Sequence, residues 1–348
     1  MRKGLLLILA VLLAGFAFTS CERDGPIIIR IANDRADGNP RTIGLNVFAE
    51  YVEEHSGGRI RVQVFNNSVL GGPNEYTESV IAGSIQAAAI GTELAQRAPI
   101  VAPWELPFMF PCWDAVQAVA ESDFGRTMYD HFPETIGVRA LGFQPMGFRV
   151  MIANRPLTNM DAFNGFRLRV PQIELYLTMG RNLGANTIAV AMSELYTAVQ
   201  QGAVDGLELS AMDIVSGRFH ENVSHGLVSH HIFVMHNLYI NEAFFQSLPP
   251  DLQDVIISAG RHFQDFNFRY IREAENRFLD MLIADGVNMY VPSPEFRAQL
   301  TATQRATEVD FYRIYPGTEI VIAEMRRVMA ESGFYSQAPG GETLLAVR

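Results

Sequence analysis

Two cysteines, Cys21 and Cys112, are all that the 348 residues contain, so neither a disulfide framework nor a paired-cysteine metal site can be built from them. No Gly-x-Ser-x-Gly, phosphate loop or His-Glu-x-x-His occurs, which leaves the chain without a recognisable catalytic or cofactor motif. Basic residues are in deficit: 27 Lys and Arg face 38 Asp and Glu, a formal charge of −11. A balance of that sign argues against nucleic acid as a partner. Beyond the first 20 residues no second long apolar run follows, so nothing there reads as a membrane span. No catalytic residue, cofactor or metal is expected.

What is present begins at the N-terminus. Arg2 and Lys3 precede an apolar run from Leu5 to Phe18, about 14 residues, then small residues and a cysteine. This is the pattern of a secretory signal peptide over residues 1–20, and it falls short of the roughly 20 residues a spanning helix needs. Phe18-Thr19-Ser20-Cys21 resembles a bacterial lipobox, with Phe18 where Leu is commoner, which makes Cys21 the expected lipidated residue; ordinary cleavage near Ser20 is the alternative. Removing Arg2 and Lys3 with the signal leaves 25 basic against 38 acidic residues, or −13. About 325 mature residues suit two domains. Cys112, between Phe110-Pro111 and Trp113, reads as a packed residue before a nucleophile.

Periodicity gives an α/β chain. Ile27–Ala32 reads as a strand, Asn33–Pro40 as a turn, and Ile43, Val47, Phe48, Tyr51 and Val52 as one face of a helix that Gly57-Gly58 ends. Ile60, Val62 and Val64 alternate as in a half-buried strand. Asn74–Ala82 then reads as helix and Ile85–Ile90 as strand. A second block follows: strand Phe166–Val170, helix Ile173–Leu183, strand Thr187–Val190, helix Glu194–Gln201, strand Ala203–Leu207. Two α/β lobes are the economical interpretation. A short echo between Val80–Ala87 and Val199–Gly206, helix then Gly then strand, suggests that each lobe aims one strand end at a shared cleft. From Asp251 to about Asp285 apolar residues keep helical spacing without proline, which predicts a helix on the order of 50 Å long. A break at Gly260 into two helices is the alternative.

Candidate chemistry lies in arginines set in apolar, strand-like sequence, because a guanidinium is not buried without an anionic partner. Arg149 lies in Gly147-Phe148-Arg149-Val150-Met151, and Arg167 and Arg169 share one face of a strand that Pro171 ends. Ligands of open α/β sheets bind beyond strand carboxyl ends, where Arg169 could grip a carboxylate with two parallel hydrogen bonds. A structural ion pair with Glu208 or Asp205 is the competing assignment. His220, His225, His230, His231 and His236 cluster in sequence, but spacings of mostly five residues fit neither one helix face nor usual ligand sets.

At these residues the chain resembles the solute-binding subunits of TRAP (tripartite ATP-independent periplasmic) transporters of the DctP type. The markers run over most of the mature chain: Gly71, Trp104-Glu105-Leu106-Pro107-Phe108, Asn154-Arg155-Pro156, the stretch Gly165–Pro171, Leu183–Asn186, the stretch Ser193–Glu208 and Ser247-Leu248-Pro249. The resemblance implies a two-lobed periplasmic-binding-protein-like clamp with connecting strands and a long helix spanning both lobes. Residues 21–146 with about 235–274 would form the first lobe, and 147–234 with about 275–348 the second. It implies capture of a small organic acid, a sugar acid or other monocarboxylate, for a TRAP membrane permease, by a lipid-anchored protein on the periplasmic or cell-surface side.

By the same resemblance Arg169 binds the ligand carboxylate, Arg149 assists, and Glu208 and His231 orient the arginine. Many relatives have asparagine where this chain has Leu209, and phenylalanine where it has Met192. That departure suggests a less hydroxylated or aromatic acid, unless His236 and Asn237 replace the lost hydrogen bonds. Asn33, Thr92 and Glu93 lie near first-lobe contact positions. A receptor that signals to a membrane sensor, or an extracytoplasmic enzyme using Glu208 or a histidine as general base, are the rival functions.

Overall fold

The computed structural model describes residues 25–337 and 343–345; the expected signal peptide and Cys21 lie outside them. Strands are β1 (Ile27–Ala32), β2 (Ile60–Phe65), β3 (Ala87–Ile90), β4 (Val138–Ala153), β5 (Arg167–Val170), β6 (Asn186–Ala189), β7 (Gly206–Ser210), β8 (His225–Leu227), β9 (Phe233–Asn241) and β10 (Asn288–Tyr290). The helices of at least eight residues, with one short helix at the cleft, are α1 (Pro40–His55), α2 (Pro73–Ile81), α3 (Trp113–Glu121), α4 (Glu174–Asn182), α5 (Ala211–Ser216), α6 (Pro250–Ala284), α7 (Pro294–Ile314) and α8 (Glu319–Glu331).

The strands form two sheets that share β4. In the first, β1 lies parallel between β2 and β3, β3 runs antiparallel to β9, and β9 runs antiparallel to Val138–Phe148 of β4. In the second, the remainder of β4, Arg149–Ala153, pairs antiparallel with β7, which runs parallel to β5, and β5 parallel to β6. β8 and β10 extend this half from the other side of β4. One strand thus leaves the first sheet at Phe148 and enters the second at Arg149.

The local reasons follow the sequence. Asn39 caps α1 by accepting from the Arg41 N–H at 2.9 Å, with Pro40 in the first turn where no amide partner is lost. The echo is structural: Gly83 and Gly202 both sit at positive φ, +78° and +66°, and β3 and β7 each begin four residues later. The expected strand Ala203–Leu207 is therefore shifted to Gly206–Ser210, because Ala203, Val204 and Asp205 form a bend after the left-handed glycine. The strand expected from Ile85 starts at Ala87 for the same reason.

Helix α6 is continuous for 35 residues, roughly 52 Å at 1.5 Å per residue, and the break considered at Gly260 does not occur. A Cβ at Gly260 would collide with the Leu141 carbonyl oxygen, and one at Gly142 would lie 2.5 Å from the Gly260 carbonyl oxygen. The glycine is there so that helix and β4 can touch backbone to backbone. The first half of α6 packs Ile256 and Phe263 with Phe48 and Leu45 against the first sheet, while Leu282 joins Val150, Ile152 and Leu207 under the second. The helix therefore braces both halves. No helix among the described residues is long and apolar enough to cross a membrane.

Candidate functional site

Between the two sheets, just past the carboxyl ends of β1, β3, β5, β6 and β7, lies a partly open cavity to which both sheets contribute side chains, the place where ligands of open α/β sheets bind. The first sheet contributes Asp34, Arg35, Glu93 and Glu105, and β9 adds Val234 and His236; the second contributes Arg169, Pro171, Val190, Met192 and Leu209. Arg149, where β4 changes sheets, and Tyr176 of α4 complete the wall between them.

Arg169 is 2% exposed. Its Nε donates to the Val190 carbonyl at 3.0 Å and its Nη2 donates to the same oxygen. Among the described residues no carboxylate stands within ion-pair distance of it, so the Glu208 or Asp205 pair weighed from sequence is not formed. Those acids belong to its neighbours. Arg149 holds Glu208, with Nη2 to Oε1 at 2.8 Å, Nη2 to the Glu208 carbonyl at 2.7 Å and a further Nε contact. Arg167 holds Asp205 at 2.6 Å. Burial pulls the Arg169 pKa down to about 9, with Glu208 opposing and Arg149 and Arg35 adding to the fall. The group stays protonated at neutral pH, a buried cation whose own carbonyl partner carries no charge.

Glu208 and His231 stand behind the cavity wall. Burial would raise Glu208, but Arg149 and His231 together outweigh it and keep the carboxylate below its ordinary pKa. His231 Nε2 lies 3.4 Å from Glu208 Oε2, and its Nδ1 is 2.7 Å from Ser229 Oγ; burial holds the imidazole down against the Glu208 charge. The two thus orient Arg149, not Arg169, which is the difference from the sequence expectation. Arg149 in turn lies 4.9 Å above the Tyr176 ring.

Other expected residues divide. Met192, Leu209, His236 and Glu93 line the cavity. Asn237, one residue along β9, is buried outside the cavity wall on the side of Tyr129 and Tyr239. Asn33 is buried outside the cavity, where its Nδ2 donates to Thr42 and Asn66 at 2.8 Å. Thr92 is buried beside Glu93 and is not part of the wall. The remaining histidines disperse: His220 lies 3.1 Å from Asp285, and His230 stacks on Phe148. Among the described residues no group of three His, Cys, Asp or Glu side chains converges as metal ligands would. Cys112 is a free thiol packed against the core.

Glu105, Asp213 and its partner Arg35 are wall residues that were not singled out from sequence. Glu105 accepts a hydrogen bond from the Tyr176 hydroxyl. Asp213, at the start of α5, accepts from Arg35 Nε at 2.8 Å and from Asn39 Nδ2 at 3.1 Å. Of these, only Glu105 carried a sequence signal, as a charge inside the apolar stretch Pro103–Phe110.

The family model for bacterial extracellular solute-binding proteins, family 7 (DctP), matches residues 31–313. The C4-dicarboxylate-binding periplasmic protein DctP of Rhodobacter capsulatus is 28% identical over 93% of this chain and 90% of its own length. A TRAP periplasmic solute-binding protein from Desulfovibrio desulfuricans, solved with sn-glycerol-3-phosphate, is 30% identical, with a TM-score of 0.82 over 86% of this chain and 97% of that one. One from Haemophilus influenzae, solved with L-gulonate, is 26% identical, with a TM-score of 0.82 over 87% and 99%.

Proposed function

The chain belongs to family 7 of the bacterial extracellular solute-binding proteins, and from that membership we propose that it captures a small organic acid through Arg169 and hands it to a TRAP-type membrane permease. The observation that carries the proposal is the buried Arg169 guanidinium, which lines the cavity with a neutral carbonyl as its protein partner. An anion supplies what the fold withholds, and a carboxylate suits the planar fork. Arg149, fixed by Glu208 and His231, adds positive potential and is not free to migrate to the ligand. The receptor binds its ligand unchanged: no group in the cavity is asked to make or break a bond.

The lobes divide, in this proposal, where β4 passes from Phe148 to Arg149 and again along α6, so that closure brings Arg169 of the second lobe toward the first-lobe wall. Ligand shifts that equilibrium only by its differential affinity for the closed form. The lipid anchor at Cys21 is a separate element of the proposal, and Cys21→Ser should release the protein from the membrane fraction if it holds.

Thermal shift of the mature domain against carboxylates and matched neutral analogues tests the capture reading. A ligand at 100 times its Kd should contribute about 2.7 kcal/mol. Equal shifts with neutral analogues would overturn it.

A further inference from the structure

The cavity is not uniformly basic. Glu93 and Glu105, both in the irregular segment that follows β3, meet His236 of β9 around Gly91. A Cβ at Gly91 would lie 2.6 Å from His236 Nε2 and 3.1 Å from Glu105 Oε1, and the Gly91 N–H donates to Glu93 Oε2 at 3.1 Å. Glycine at this position lets two carboxyls and an imidazole crowd one backbone point. All three side chains line the cavity.

None of the three is paired with an opposite charge. No cation forms an ion pair with Glu93 or Glu105 among the described residues, and the nearest donor to Glu105 is the neutral Tyr176 hydroxyl. His236 is 8% exposed, and its Nδ1 has no hydrogen-bond partner. Burial raises both glutamates, Glu105 to about 7 with Glu93 adding to the shift, and holds His236 well below its usual value. The first-lobe wall therefore presents two carboxyls without a cationic partner, each with acceptor capacity beyond its one neutral donor, and an imidazole nitrogen without a partner, across the cavity from a cation that lacks an anion. Desolvated groups of this kind discriminate strongly, because a wrong ligand leaves them unpaired or sets like charges together.

Resting on the carboxylate-capture reading, we propose that Glu93, Glu105 and His236 read the end of the ligand remote from its carboxylate. They accept hydrogen bonds there from hydroxyl or ammonium groups, so that the site takes a donor-bearing monocarboxylate and rejects a second carboxylate. Leu209 and Met192, apolar side chains of the second-lobe wall, offer no hydrogen bond and leave donor recognition to this opposite wall.

The test is calorimetric titration of the mature protein at pH 8 with L-gulonate, galactonate and 6-aminohexanoate on one side and succinate, adipate and hexanoate on the other. At least one donor-bearing monocarboxylate should bind 10-fold or more tighter than every dicarboxylate and than hexanoate. Glu105→Gln, which keeps the shape and an acceptor for Tyr176, should weaken that ligand 10-fold and narrow its margin over adipate. Glu93→Gln gives an independent reading if Glu105→Gln fails to fold. A dicarboxylate bound as tightly as the best donor-bearing acid, or a margin unmoved by both variants, overturns the inference alone. Failure of every acid to bind overturns the capture reading and this inference with it.

Discussion

Arg35 and Asp213 lie 178 residues apart in sequence and 2.8 Å apart in space, and their ion pair fastens the loop after β1 to the first turn of α5. Those elements belong to different sheets, so the pair crosses the cleft at the cavity wall. Arg35 also holds Asp34, and Asn39 donates to Asp213. Burial would raise Asp213, but Arg35, helped by Asn39 and Arg149, outweighs it and holds the carboxyl below its ordinary pKa. If the lobes part as proposed, this contact is broken on opening and so weights the closed form.

Asp213→Asn should accordingly shift the empty protein toward open lobes. The apparent Kd rises by the factor that the competent fraction falls, about 10-fold if that fraction drops to a tenth. Small-angle scattering of the ligand-free protein should show a larger radius of gyration for the variant, with the two proteins converging at saturating ligand. Identical radii in the empty state would mean that the pair does not bias closure.

Arg169→Ala and Glu208→Ala separate a waiting charge from a structural one. Arg169 is solvated by a carbonyl alone, so its removal should leave the melting point of the empty protein level or raise it, while affinity falls at least 100-fold, in line with the roughly 2–5 kcal/mol of a buried charged contact. Arg169→Lys keeps charge but not the fork, and its loss should be intermediate. Glu208→Ala strands Arg149 as an uncompensated buried cation and should cost about 3–5 kcal/mol in urea unfolding without ligand. If the two alanine variants melt alike, the roles assigned here are wrong.

Glu105 sets a pH dependence. Its carboxyl is raised from the ordinary 4.5 to about 7 by burial first and by Glu93 second, with Tyr176 and Arg149 pulling the other way and His236 beside it. A raised carboxyl favours the folded state fully below the unfolded value of 4.5, and that advantage is lost as pH rises through about 7. Glu105→Gln removes the titration. Its stability relative to wild type should therefore climb between those two values and level off above them, by about 3 kcal/mol in all. Urea melts at pH 4, 6 and 8 without ligand would reveal it; a difference constant across pH would not fit a buried, titrating Glu105.

The sequence made the scaffold legible where periodicity is strong. β1, α1, β2, α4 and the full span of α6 follow from apolar spacing and from proline and glycine at their ends. Arg169 was legible as a charge in an apolar strand. Its partner was not, since Arg149, Arg167 and Arg169 compete for Glu208 and Asp205 and only the register of β4 on β7 decides, Met151 opposite Glu208 and Arg149 opposite Ser210. Asp34-Arg35 reads as a solvated turn, because nothing local announces that Asp213 will cover it. Glu93 and Glu105 sit in irregular turns without a period, where proximity to a cleft is purely tertiary. Asn237 failed because alternation along β9 turns one of two neighbouring polar residues away from the cavity.

Gly260 tests the bracing helix itself. Alanine is the better helix former by about 1 kcal/mol, so propensity alone predicts that Gly260→Ala stabilises the protein. Contact predicts the opposite, because the new methyl meets the Leu141 carbonyl oxygen and carbon and the Leu141 Cβ, two of the three being backbone that cannot swing aside. Overpacking of this kind typically costs about 1–3 kcal/mol, and relief requires α6 to lift from β4. That movement would disturb Phe148, whose N–H donates to Glu275 of α6 at 2.6 Å, at the point where β4 leaves one sheet for the other. Gly260→Ala should thus lower the melting point and also weaken ligand binding from a site far outside the cavity. A stabilised variant with unchanged affinity would show that the helix and strand have room to spare and that the glycine is not set by their contact.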